Sequence, residues 1–210
     1  MIIALTAEET IQAELSIIHT LFENGLDMLH LRKYHFTDLQ MSKYVASIDA
    51  TYHHKLVMHS HPLLSLELGI NRIHLSESNR KDGYQKGRAR GSIYSTSVHH
   101  IDQFNNLDNR WDYAFLSPLF ASISKAGYGV NNAILHQLQH RSNFDVRLIG
   151  LGGINATNCQ LPLQYGADGI ALLGALWHYP ETIQNFISCK KSYGKTPIYL
   201  PRTNNNTTKG

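Results

Sequence analysis

The chain has 210 residues, 42% of them hydrophobic and 17% charged, and a formal net charge of +3. That length suits one domain with a substantial core. No basic run or basic-aromatic interleaving points to nucleic acid, and no apolar run reaches membrane-spanning length. Two cysteines, Cys159 and Cys189, make neither a metal spacing nor a disulfide framework, and the start of the chain lacks a signal-peptide pattern, so the expected setting is cytoplasmic.

Short apolar runs alternate with capped or amphipathic segments along the chain. Ile2–Leu5 reads as the first strand. Thr6 and Glu9 have capping-box spacing, and Ile11, Leu15, Ile18 and Phe22 then share one helical face up to Gly25. Met28–Arg32 is the second strand. Thr37 and Gln40 form another capping box, opening a helix with Leu39, Tyr44, Val45 and Ile48. Lys55–His59 is the third strand. Pro62 suits a first helical turn, and Gly69 ends that short helix. Ile73–Leu75 is the fourth strand. Residues 77–89 read as irregular or at most weakly helical. Ser92–Ser95 and Tyr113–Leu116 are the fifth and sixth strands, with a short helix from His100 to Leu107 between them. A Ser-, Gly- and Lys-rich loop, 117–129, precedes a helix from about Asn131 to His140.

Asp145–Ile149 is the seventh strand. It runs into Gly150, Gly152 and Gly153, and Asn155–Asn158 then opens a helix. The run Gly166–Leu176 is the eighth strand, and a closing helix carries Ile183, Phe186 and Ile187 before Gly194. Residues 1–195 thus form one domain, and 196–210 form a polar tail. Eight strand–helix units predict an α/β fold, a single-domain (β/α)8 TIM barrel with parallel strands and right-handed crossovers. An open doubly wound sheet is the rival. It would place a glycine fingerprint after the first strand, whereas here the glycines follow the seventh.

In such a barrel, chemistry sits at the C-terminal strand ends. Those ends carry His30, Arg32 and Tyr34; His59, Ser60 and His61; His74, Ser76 and Glu77; Ser95, Ser97 and His99; and Ser122, Ser124 and Lys125. The set is rich in cations, hydroxyls and imidazoles and poor in carboxylates, which suits a phosphate or diphosphate. Arg32 is expected to enter the barrel, where it must be paired or meet a ligand. Ser122, Ser124 and Lys125 can close on a phosphate as a lid, against the plainer reading of a solvated loop. The glycine turns after strands seven and eight let an anion approach the main chain, or simply allow tight turns. His59 and His61 alternate as on a strand, beside His30 and His74. Three imidazoles can make a zinc site, but hydrogen-bonded barrel-mouth residues are the preferred reading.

These stretches resemble the family of thiamine-phosphate synthase and its sister, the thiazole tautomerase. HLRKY (30–34) is similar to the family's Q-L-R-E-K. LVMHSH (56–61) stands where its I-x-N-D strand does, and IHLSESN (73–79) resembles V-H-L-G-Q-E-D. STSVHH (95–100) resembles G-x-S-x-H. DYAFLSPLFASISKAGYG (112–129) resembles D-Y-x-x-x-G-P-x-F-x-T-x-T-K, and IGLGGIN (149–155) with GADGIALLGAL (166–176) resemble the closing phosphate loops.

The resemblance implies a TIM-barrel transferase of thiamine biosynthesis. It joins hydroxymethylpyrimidine diphosphate to thiazole phosphate, releasing diphosphate, with magnesium as cofactor and a phosphorylated heterocycle as small-molecule partner; a homo-oligomer is left open. By position it implies Arg32, Ser97 and Lys125 at the diphosphate, and Ser122, Ser124, Gly153, Leu173 and Gly174 at the thiazole phosphate. His30, His59 and His74 fall on the pyrimidine side. Two magnesium carboxylates of the family fall on Ser60 and Asn79, its second-strand lysine on Tyr34 and its pyrimidine-binding asparagine on His59. His30 at the glutamine position resembles the tautomerase, whereas Pro118 at the tautomerase's catalytic histidine resembles the synthase. Tautomerase activity with His30, His59 or His99 as base, or non-catalytic binding of the thiazole or product phosphate, are the alternatives.

Overall fold

A computed structural model describes residues 1–81, 91–121, 134–177 and 181–195. Eight strands close into a barrel in chain order: β1 (Ile2–Leu5), β2 (Met28–Leu31), β3 (Leu56–Met58), β4 (Arg72–Leu75), β5 (Ile93–Val98), β6 (Tyr113–Leu116), β7 (Arg147–Leu151) and β8 (Gly169–Leu172). Every neighbouring pair is parallel, and β8 returns to β1 through Ile2 opposite Ile170. All eight C-terminal ends therefore share one rim. The closed ring excludes the open doubly wound sheet.

Closure follows from the two-residue period of the strands. Ile3, Leu5, Met28, Val57, Tyr113, Phe115, Ile149 and Ala171 pack together inside the ring. The alternate residues, among them Ile2, Ala4, Leu29, Leu31, Leu56, Met58, Ala114, Leu116, Leu148 and Ile170, pack under the helices. Each strand is thus buried on both faces, which is why the sequence shows apolar runs rather than alternation.

The helices around the ring are α1 (Glu14–Glu23), α2 (Asp38–Ala46), α3 (Pro62–Glu67), α4 (Glu77–Lys81), α5 (Ile101–Asn105), α6 (Gln160–Gln164), α7 (Gly174–Trp177) and α8 (Thr182–Lys195), with two 3-10 turns, Ala50–Lys55 and Ile134–His140. The capping box at Thr37 and Gln40 forms at α2. Pro62 opens α3, and Gly69 follows it with φ +68°.

Five local expectations are corrected. Thr6 and Glu9 do not cap a helix: α1 begins at Glu14, and buried Thr6 accepts the Arg32 backbone N–H through Oγ1 at 2.8 Å. The Gly166–Leu176 run is not one strand, because β8 stops at Leu172 and Gly174–Trp177 turn into helix. Asn155–Asn158 do not open a helix directly. Asn155 Oδ1 accepts from Thr157 N and Oγ1, an Asx turn that competes with helix, and α6 starts at Gln160. Gly194 lies within α8 rather than ending it. Strand β5 also runs three residues past its expected end, to Val98, so Ser97 is a strand residue. The 196–210 tail lies outside the described residues.

Candidate active site

The alternation that fills the lower barrel with apolar side chains sends polar ones to its upper half on β2 to β6. His30 on β2 is fully buried, and His74 on β4 is 4% exposed. His59 follows β3 and is partly exposed. Their rings meet: His59 stacks on His74 with centroids 4.2 Å apart, and His30 lies edge-on to both, at 5.0 and 5.5 Å.

Every ring nitrogen of the three has a partner. His30 Nδ1 and His59 Nε2 share a hydrogen bond of 2.8 Å, and His30 Nε2 lies 2.9 Å from the Tyr113 hydroxyl. His59 Nδ1 is 3.0 Å from the Tyr34 hydroxyl. His74 Nδ1 meets Ser95 Oγ at 2.9 Å, and its Nε2 meets Ser97 Oγ at 3.0 Å. A nitrogen-to-nitrogen hydrogen bond needs one ring nitrogen to lack a proton, which fits neutral imidazoles. Burial gives the same result. It holds His74 down to about 3, with the Arg32 charge adding. It also pushes His30 well below the usual histidine range, with His74 and Arg32 contributing. His59 is lowered likewise by burial, then by His74, His30 and Arg32.

Arg32 does not enter the barrel as expected. β2 ends at Leu31, and Arg32 lies at the rim, 2.5 Å from Glu8 Oε1 and over the Tyr34 ring at 5.8 Å. The buried cation is its neighbour Lys33. Its Nζ donates to Glu9 O at 2.7 Å and to Glu14 Oε1 at 2.9 Å. His61 leaves the expected strand alternation. β3 stops at Met58, and His61 adopts φ +59°, its ring lying 2.6 Å from Ser60 Oγ and 2.7 Å from Phe36 O. His99 sits apart from the histidine triad, with Nδ1 2.8 Å from Ser117 O and Nε2 3.6 Å from Glu77.

On the opposite wall, Gly152 and Gly153 follow β7 with φ +100° and +64°. Their lack of a side chain is used by the chain itself. A Cβ on Gly152 would meet Pro118 at 2.8 Å, and one on Gly153 would meet Ala121 O at 2.3 Å. Leu119 N and Phe120 N donate to Leu151 O and Gly152 O, so the start of the β6 loop is pinned onto the β7 turn. Leu173 and Gly174 follow β8 on the same rim and are partly exposed. Ser122, Ser124 and Lys125 lie outside the described residues.

The sequence does not name Tyr113 or Tyr34 as partners of histidine. Tyr113 lies two residues from Phe115 on β6, and a hydroxyl pointing into a closed barrel has to find a partner. That is the signal the sequence carries. Tyr34 lies beyond the strand, and nothing in its neighbours announces its bond to His59.

The family model described as thiamine monophosphate synthase matches residues 2–176. This chain belongs to the thiamine monophosphate synthase family. Among its relatives is thiamine-phosphate synthase of Lysinibacillus sphaericus, 26% identical over 203 residues, covering 90% of this chain and 92% of that protein. A Listeria innocua thiamine-phosphate synthase is 28% identical over 150 residues, covering 69% of each chain. The barrel superposes on thiamine phosphate pyrophosphorylase from Bacteroides thetaiotaomicron with a TM-score of 0.75 and 28% identity, covering 92% of this chain and 97% of that one. The Pyrococcus furiosus thiamine phosphate pyrophosphorylase shares the fold at the same TM-score with 16% identity, over 92% and 95% of the two chains.

Magnesium is the cofactor implied by the family, and the two positions that the resemblance gives to its carboxylates are Ser60 and Asn79 here. Ser60 Oγ is engaged with His61, and Asn79 is exposed on α4 with its backbone N–H on Ser76 Oγ. Glu77, the carboxylate at the start of α4, pairs with Lys81 at 2.8 Å, whose hydrogen bond holds it below the usual range. A hard cation that depends on charged oxygens does not fit the Ser60 and Asn79 pair.

Proposed function

We propose that this chain couples hydroxymethylpyrimidine diphosphate to thiazole phosphate, giving thiamine phosphate and diphosphate. Family membership over residues 2–176 supports the reading. One structural observation carries it: the glycine turns after β7 and β8, Arg32 and Ser97 all belong to one rim of a closed parallel barrel. In the reaction, the methylene carbon–oxygen bond breaks and its electron pair leaves with diphosphate. The thiazole nitrogen lone pair then forms the new carbon–nitrogen bond. No general base is required, so the protein's task is to hold two anions and orient two rings.

In this reading Arg32, Ser97 and Lys125 hold the diphosphate. Ser122, Ser124, Gly153, Leu173 and Gly174 hold the thiazole and its phosphate. His30, His59 and His74 form the pyrimidine wall, uncharged, so that they do not compete with Arg32 for the leaving anion. In the metal-free chain Ser97 Oγ is held beside this wall by its bond to His74. The setting is cytoplasmic, and no helix among the described residues is long and apolar enough to cross a membrane.

The test is an incubation of the full chain with both substrates and magnesium, read by appearance of thiamine phosphate. A linear time course is expected. Absence of product, with calorimetric affinity for thiazole phosphate retained, would select a binding role instead. The place of His59 at the partly exposed mouth of the barrel is the observation behind a second reading, thiazole-phosphate tautomerisation with His30 or His59 as base. That reaction gives an aromatised thiazole phosphate from a single substrate, and activity abolished by a chelator would exclude it.

A further inference from the structure

We propose that His30, His59 and His74 form a binding site for one divalent cation of the zinc class in the mouth of the barrel. The inference rests on the histidine geometry and stands whether or not the coupling reaction is found. The three side chains offer ligand atoms that all lie within 4.8 Å of one another. They come from β2, the end of β3 and β4, three consecutive strands of one wall. Zinc bound to imidazole at about 2.0–2.1 Å draws its ligand atoms to about 3.4 Å apart. His30 Nδ1 and His59 Nε2, now 2.8 Å apart, spread by about half an ångström while the His74 nitrogen closes by at most about 1.4 Å, within reach of side-chain rotation, and His59, the least buried of the three, is the ring placed to turn.

The surroundings already supply what bound imidazoles require. A ligating histidine donates its other N–H to an oxygen that fixes the tautomer. Here His30 Nε2 lies on the Tyr113 hydroxyl, His59 Nδ1 on the Tyr34 hydroxyl and His74 Nδ1 on Ser95 Oγ. That leaves His30 Nδ1, His59 Nε2 and His74 Nε2 for a shared ion. The ion replaces the hydrogen bond between His30 and His59 and the one from His74 to Ser97. Three neutral nitrogens with a water in a fourth position suit zinc, cobalt or nickel. They do not suit magnesium, which takes charged oxygens.

The experiment is calorimetric titration of the chelator-stripped full chain with zinc chloride, and with cobalt chloride followed by visible absorption. One ion per chain and the intense bands of four-coordinate cobalt(II) are expected, with no displacement by a thousandfold excess of magnesium. The central variant is His59→Asn, which keeps a hydrogen-bonding side chain at the rim. It should weaken binding by about 100-fold or more and abolish the cobalt bands. Tyr34→Phe, which removes the hydroxyl behind His59, should weaken binding about tenfold. His54→Ala, an exposed histidine away from the cluster, should leave both readouts unchanged. His59→Ala, checked by circular dichroism, serves if the asparagine variant does not fold. Absence of one-to-one binding in the native chain overturns the proposal. So does full-strength binding in the folded His59 variant, which would place the ion on other histidines, and so does displacement by magnesium.

Discussion

The two walls of the barrel mouth solve different problems with different chemistry. On β2 to β5 the interior is filled by His30, His59, His74, Ser95 and Ser97, and every imidazole nitrogen of the three histidines is hydrogen-bonded. Around β7 the turn is bare main chain. Gly152 and Gly153 take positive φ and let residues 118–121 lie directly against them. A wall of side chains can be altered one hydrogen bond at a time. A wall of packed main chain tolerates almost no addition. In the proposed reading, the turns assigned to phosphate lie where the backbone builds the site, and the positions that the resemblance assigns to carboxylates and a lysine are exchanged where side chains build it.

The largest effect should come from breaking the bare wall. Gly153→Ala forces a left-handed residue and sets its Cβ against Ala121 O, so we expect a loss of about 3 kcal/mol in urea unfolding. A loss under about 1 kcal/mol would mean the loop yields easily.

Acid should open the imidazole wall next. The folded pKa of His74, about 3, lies below its unfolded value of about 6.5. As pH falls, the unfolded chain therefore takes the proton first. Stability is full above about 6.5, declines through that window and levels off near 3. At pH 5 the loss from His74 alone is about 2 kcal/mol. His30 and His59 act in the same direction, with Arg32 the neighbouring fixed charge. The check is the urea midpoint of the metal-free chain at pH 7.5 and pH 5, against a His74→Gln variant. An equal acid loss in both would show that His74 is not the source.

Gly174→Asp sharpens the functional half of the comparison. Gly174 is not in the left-handed region, so unlike at Gly153 a side chain there carries no backbone strain. A carboxylate at the proposed phosphate turn should lower affinity for thiazole phosphate about tenfold by calorimetry. Unchanged affinity would remove the turn after β8 from the site. The smallest effect belongs to Tyr34→Phe. Tyr34 is 43% exposed and contributes one hydrogen bond to His59, so its loss should cost about 0.5 kcal/mol by the same unfolding assay.

The sequence by itself determined the ring. Eight apolar runs buried on both faces, each followed by a segment able to turn back, leave a parallel barrel as the consistent solution, and the bounds of Tyr113–Leu116 are legible because turn residues flank it. Helix starts were less legible. Thr6 and Thr37 carry the same spacing signal, yet only Thr37 caps a helix, since Thr6 is drawn into the core by the Arg32 N–H. The sequence places His30, His59 and His74 on neighbouring strands and offers them as a three-imidazole set, with hydrogen-bonded barrel-mouth residues the preferred reading, but it does not show their rings in contact. Which of Arg32 and Lys33 is buried, where His61 turns, and which hydroxyl meets which imidazole were decided by the tertiary structure. The physical reason is range: a strand's period fixes which face a residue occupies, but a buried polar group is satisfied by partners such as Tyr113, 83 residues away from His30, that no local pattern can name.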